Sequence, residues 1–221
     1  ITVPWQDIFI SENLTLKELA LVEPLTVGFH AASRGRVAKS DLVAVMGCGI
    51  VGMGAVAASV SRGAKVIAID PDETKLAIAK KIGVAYTINP EKADLHQALL
   101  AATNGDGPDV IIEAVGSPKT YRAAVDEVAY TGRVVCIGYA KAPVEFNTGV
   151  FVRKEIEILG ARNCTTEFPE VIKYLEAGSF PVDAVISKEV TLDHAGAALA
   201  EWANNATGIV KIMVNFEASH D

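Results

Sequence analysis

Leu42-Val43-Ala44-Val45-Met46-Gly47-Cys48-Gly49-Ile50-Val51-Gly52 is the stretch that decides the fold. Its first five residues are apolar and read as a buried strand, and Gly47, Gly49 and Gly52 then fall at the spacing Gly-x-Gly-x-x-Gly. Alone, that spacing is a weak signal. Here it follows a strand and opens an apolar helical stretch over 50–62, the context in which such a loop holds a dinucleotide. Gly47 permits the tight turn, Gly49 lets backbone approach a pyrophosphate, and Gly52 lets the helix pack on the strand. The N–H groups of Ile50 and Val51 then face the phosphates from the positive end of the helix dipole. The blander alternative is a set of glycines that serve only a strand-to-helix turn.

Outward from this loop, short apolar runs alternate with helical periodicity over 42–160. Strands are expected at Leu42–Met46, Lys65–Ile69, 85–88, 109–113, 133–137 and 156–159. That is the complement of an α/β, doubly wound, six-stranded parallel sheet of the Rossmann type. Helices run up to Gly83 and Gly105, each placed as a C-cap, and a third starts at Ser117-Pro118. The flanks add no further repeat to this sheet. The chain therefore divides into 1–36, a domain edge with connecting helices, 37–160, the dinucleotide-binding domain, and 161–221, a return segment. In the first flank Thr15-Leu16-Lys17-Glu18 fits a capping box and Pro24 fits the first turn of a second helix. In the last, helices are expected near 169–177, ended by Gly178, and 193–204, with a strand at 210–214.

Asp70 closes the second strand eighteen residues after Gly52, near the interval of a ribose-binding acid. A carboxylate there accepts hydrogen bonds from the adenosine ribose of NAD and repels the 2′-phosphate of NADP; an ordinary strand-end turn is the alternative. Lys75 either reaches the same ribose or is a solvated helix lysine.

Composition bounds the partners. The 221 residues carry 20 Lys and Arg against 27 Asp and Glu, a net charge of -7, so no nucleic acid or anionic membrane is expected. Residues 42–61 carry no charge and are nearly long enough to span a bilayer, but Gly47, Gly49, Gly52 and Gly54 interrupt them and charge returns at Arg62. Cys48, Cys136 and Cys164 lack metal-ligand spacing and read as buried small hydrophobes. With no secretory pattern at Ile1-Thr2-Val3-Pro4, a cytoplasmic location is the default expectation, and a start in mid-domain suggests a fragment.

Glu23-Pro24-Leu25, the Gly-Cys-Gly-Ile-Val-Gly loop, Lys65 to Asp70 and Glu113-Ala114-Val115-Gly116 together resemble the zinc-type medium-chain dehydrogenases, nearest their sorbitol dehydrogenase branch. Val27-Gly28-Phe29-His30, Gly160-Ala161-Arg162-Asn163-Cys164 and Lys211-Ile212-Met213-Val214 extend the resemblance over nearly the whole chain. It implies NAD as cofactor, zinc in the complete enzyme, and a small-molecule alcohol, polyol or sugar acid as substrate. It also implies a homodimer or homotetramer, and flanks that are remnants of a GroES-like catalytic domain.

By the same resemblance Glu23 approaches the catalytic zinc, Arg162 hydrogen-bonds the substrate, and backbone around Val115, Ile137 and Ala161 contacts the nicotinamide carboxamide. Glu23 is otherwise an acid at a helix N-terminus, and Arg162 a member of a surface ion pair. His30 and His194 are expected to pack or cap. The family mechanism places the alcohol on zinc as Lewis acid and passes hydride to the nicotinamide. Two rival readings are a zinc-independent medium-chain quinone or enoyl reductase, against which Asp70 and Glu23 both count, and a non-catalytic NAD-sensing module.

Overall fold

The computed structural model describes residues 2–162 and 166–216; Ile1, Asn163, Cys164, Thr165 and the last five residues lie outside it. Six parallel strands, β1 (Leu42–Met46), β2 (Lys65–Ile69), β3 (Tyr86–Ile88), β4 (Val110–Glu113), β5 (Arg133–Cys136) and β6 (Glu157–Gly160), form one sheet. Their order is β3-β2-β1-β4-β5-β6, the doubly wound arrangement in which direction reverses beside β1.

Both faces of the sheet are covered, which is why its strands are apolar throughout. Val43, Val45, Val66, Ala68, Val110 and Ile112 face one core, built with α1 (Leu16–Arg34), α2 (Ile50–Ser61) and α3 (Glu73–Ile82). Ala44, Met46, Ile67, Ile69 and Ile111 face the other, with α4 (Leu95–Ala102), α5 (Pro118–Glu127) and α6 (Thr148–Lys154). This period-two alternation between two cores is the signature of a sandwiched parallel sheet.

Three local readings need correction. Pro24 does not begin a second helix: α1 is continuous, with the expected Thr15–Glu18 capping box at its start and Pro24 in its interior. The carbonyl that proline leaves unpartnered belongs to Ala20, which is exposed to water, while burial of Leu21, Leu25 and Phe29 holds the helix together. Gly105 is not itself the cap of α4. Asn104 takes the left-handed conformation (φ +57°), and the Gly105 N–H reaches back to Leu100 O at 2.8 Å. Finally, α6, α8 (Val182–Val185) and β7 (Ile186–Thr191) were not anticipated. The last segment pairs β7 with β8 (Lys211–Asn215) in parallel, connected through α9 (Leu192–Asn204), as a small second sheet. Between β6 and α8 lies α7 (Phe168–Glu176), which packs on α1.

α1 and α2 meet glycine on glycine. A Cβ at Gly28 would lie 2.1 Å from Ala55 N, and one at Gly54 2.6 Å from Leu25 O. Neither neighbour can yield, because each is helix backbone. Gly28→Ala is therefore expected to force the helices apart and cost about 1–3 kcal/mol of stability, read as a lowered urea midpoint.

Candidate functional site

The glycine loop leaves an open backbone cradle at the carboxyl end of β1. Gly47 has φ +91°, and its N–H donates to Ile69 O at 2.8 Å, tying the turn to β2. A Cβ at Gly52 would lie 1.8 Å from Gly47 O, so α2 enters the turn in direct backbone contact. At Gly49, the N-cap of α2, nothing lies within 4 Å of a hypothetical Cβ. The first N–H groups of α2, at Ile50 and Val51, open toward that space without helical partners.

Asp70 follows β2 and is 7% exposed. Its Oδ2 accepts from Cys48 N–H at 2.7 Å and its Oδ1 from Asp72 N–H at 2.8 Å. A carboxylate offers about four acceptor positions, so two remain for a ligand. Burial, then the Asp70 charge, pushes the Cys48 thiol up, and it is inert.

Lys75 is not a solvated helix lysine: its side chain is 14% exposed and its Nζ lies 3.9 Å from Asp72 Oδ2. Asp72 caps α3 through Thr74 N–H and also accepts from Gly208 N–H at 2.5 Å, in the turn before β8. Burial raises its pKa, but these donors and Lys75 outweigh that and hold it below the usual carboxylate range.

Glu23, Val27, Ile137, Tyr139, Ala161 and Arg162 line one cleft of about 250 Å³ at the same end of the sheet. Four of these six were singled out from sequence, from three separated segments. Glu23 is exposed in the interior of α1, not at its N-terminus. Arg162 is exposed and has no ion-pair partner among the described residues. Val115, half exposed, lies in the neighbouring turn after β4, where its Cγ2 lies 2.8 Å from a Cβ built at Gly47. Tyr139, 76% exposed, was missed, although its place just past the carboxyl end of β5 was a usable signal.

Beneath the turns after β4 and β5 sits a group that sequence reasoning passed over except as part of a motif. Glu113 is fully buried, and its Oε1 accepts from Val115 N–H, Gly116 N–H and Thr120 Oγ1 at 3.0, 2.8 and 2.7 Å. Among the described residues its Oε2 has no hydrogen-bond partner. Nearby, burial and then the Glu113 charge push Cys136 up to about 11.

His30 and His194 each have a side-chain partner. His30 Nδ1 lies 2.9 Å from Glu167 Oε1, and His194 Nδ1 lies 2.9 Å from Thr191 Oγ1. Among the described residues no three His, Cys, Asp or Glu side chains converge as zinc requires, so these residues alone do not fit that metal. No described helix is long and apolar enough to cross a membrane.

A glycine cradle at a helix N-terminus, an acid at the end of the second strand and a cleft at the carboxyl ends of the sheet define a dinucleotide-binding α/β protein. A family model described as zinc-binding dehydrogenase matches residues 51–177, more than half of the chain, and the chain belongs to that family. It is 30% identical over 207 residues to a sorbitol dehydrogenase of Bacillus subtilis, covering 93% of this chain and 59% of that protein. It is 40% identical over 153 residues to a D-xylulose reductase of Scheffersomyces stipitis, covering 69% of this chain and 42% of that one. An alcohol dehydrogenase of Escherichia coli CFT073 complexed with NADH matches with a TM-score of 0.85 at 25% identity, covering 95% of this chain and 62% of that one. The chain thus spans less than two thirds of the length of these relatives.

Proposed function

We propose that this chain is the NAD(H)-binding part of a zinc-type alcohol dehydrogenase that moves hydride between a polyol or sugar acid and NAD. The observation that carries the reading is the paired geometry of the loop and its acid. Gly49 opens onto empty space above the helix N-terminus, and Asp70 is held by two backbone donors with acceptor capacity to spare. The phosphates are assigned to Gly47, Gly49, Ile50, Val51 and Gly52, the ribose to Asp70 with Lys75, and the nicotinamide end to backbone at Val115, Ile137 and Ala161. Arg162 takes the substrate: its guanidinium suits vicinal hydroxyls or a carboxylate, and it lines the same cleft as Ile137 and Ala161.

Asp70 selects NAD over NADP because a 2′-phosphate would meet a fixed, largely desolvated carboxylate. Calorimetry is expected to show NAD binding more tightly than NADP, and Asp70→Ala weakening NAD by about 10- to 100-fold. Equal or tighter NADP binding by the unaltered chain would overturn the assignment.

Glu23 supplies one carboxylate toward a metal, and a catalytic zinc needs about three protein ligands. We therefore expect the dialysed 221-residue chain to bind NAD without retaining stoichiometric zinc, measured by elemental analysis. Steady NADH production from sorbitol, galactonate or gulonate by this chain alone would contradict the assigned division of labour.

The sheet has an apolar edge at β6, where Ile158 is 43% exposed. Pairing of two such edges about a two-fold axis would cover it. Sedimentation is expected to give a dimer at about tens of micromolar. A monomer there rejects the dimer.

A further inference from the structure

Glu113 lies where two glycine turns touch. The carbonyl of Glu113 accepts from Ile137 N–H at 2.9 Å and Gly138 N–H at 3.1 Å, and Tyr121 Oη donates to Gly138 O at 2.5 Å. A Cβ at Gly138 would lie 2.2 Å from Gly116 N, and one at Gly116 would lie 2.7 Å from Tyr139 N, so the turns pack backbone on backbone. The carboxylate is sealed beneath them. Oε1 is committed to the first turn, while Oε2 faces the second, 2.8 Å from the hypothetical Cβ of Gly138. Among the described residues no Lys, Arg or His forms a salt bridge with it.

Three donors thus hold a carboxylate with which no described Lys, Arg or His is paired. A burial this complete keeps its field from being screened by solvent, so the field extends through the thin double turn toward Val115 and Ile137. The nicotinamide ring differs between its two redox forms in one respect that such a field reads: the oxidised ring is a cation and the reduced ring is neutral. Resting on the placement of the nicotinamide end given above, we propose that Glu113 biases the bound cofactor toward its oxidised form. It is a positioning residue for the two turns as well, but the bias belongs to its charge.

Affinities of the 221-residue chain for NAD, NADH and ADP-ribose, measured by calorimetry, separate these contributions. Glu113→Gln keeps an acceptor on the first turn and removes the charge. The ratio of NAD to NADH affinity is expected to fall by about three- to thirtyfold, with ADP-ribose binding unchanged. A purely structural role would weaken both nicotinamide forms together, and an unchanged ratio overturns the proposal. Should the glutamine variant fail to fold, Thr120→Val removes one of the three donors to the carboxylate. The ratio should then change with ADP-ribose binding unchanged, and an unchanged ratio overturns the proposal. Absence of ADP-ribose binding by the unaltered chain would instead sink the dinucleotide reading, and this inference with it.

Discussion

The contact between Gly52 and the carbonyl of Gly47 governs much of what surrounds it. With 1.8 Å between that oxygen and the place a Cβ would occupy, no side chain is tolerated, and α2 must start within a turn of β1. That fixes where the helix points. It also fixes the four apolar residues from Ala55 to Ala58 in the first core, all fully buried, and brings Gly54 under Leu25 of α1. The orphan N–H groups at the start of α2 therefore emerge at the strand's carboxyl end, where the cleft lies, and nowhere else. A single steric exclusion thus sets both the packing of the first core and the direction of the helix dipole.

Asp70 adds the second tie. Its hydrogen bond from Cys48 N–H joins the loop to the end of β2, so the carboxylate stiffens the cradle. Under the proposed ribose assignment, structural and binding duties fall on the same two oxygens. An unliganded acid held in this way loses little freedom on binding, which is the physical content of preorganisation.

Most of the sheet was legible because its signals are local. Two strands match the expected bounds to the residue, the other four within one residue at each end, and Ser117 caps α5 as a serine before proline should. The glycine loop and Asp70 were legible for the same reason: residue type, spacing and context all act over a few positions. What was missed depends on distance. Pro24 looks like a helix start until the apolar face of α1 is seen buried on both sides of it. β7, with Lys188 and Glu189 inside it, has a weak pattern of its own and is defined by its partner β8. Glu113 belonged to a motif, yet only the packed turns above it reveal an unpartnered oxygen, a property no residue type encodes. Glu23 and Arg162 were named from resemblance, while their common cleft comes from the tertiary fold.

Asp72 bonds to a residue 136 positions away. One of its oxygens caps α3 beside Asp70, and the other holds Gly208 at the approach to β8. By thermodynamic reciprocity, whatever quiets the fluctuations of α3 and Lys75 also lowers the entropic cost of docking that distant turn, and docking the turn returns the same free energy to α3. The start of α3 and the turn before β8 are thereby tied through one side chain, so loss of the Asp72 carboxylate would release both at once.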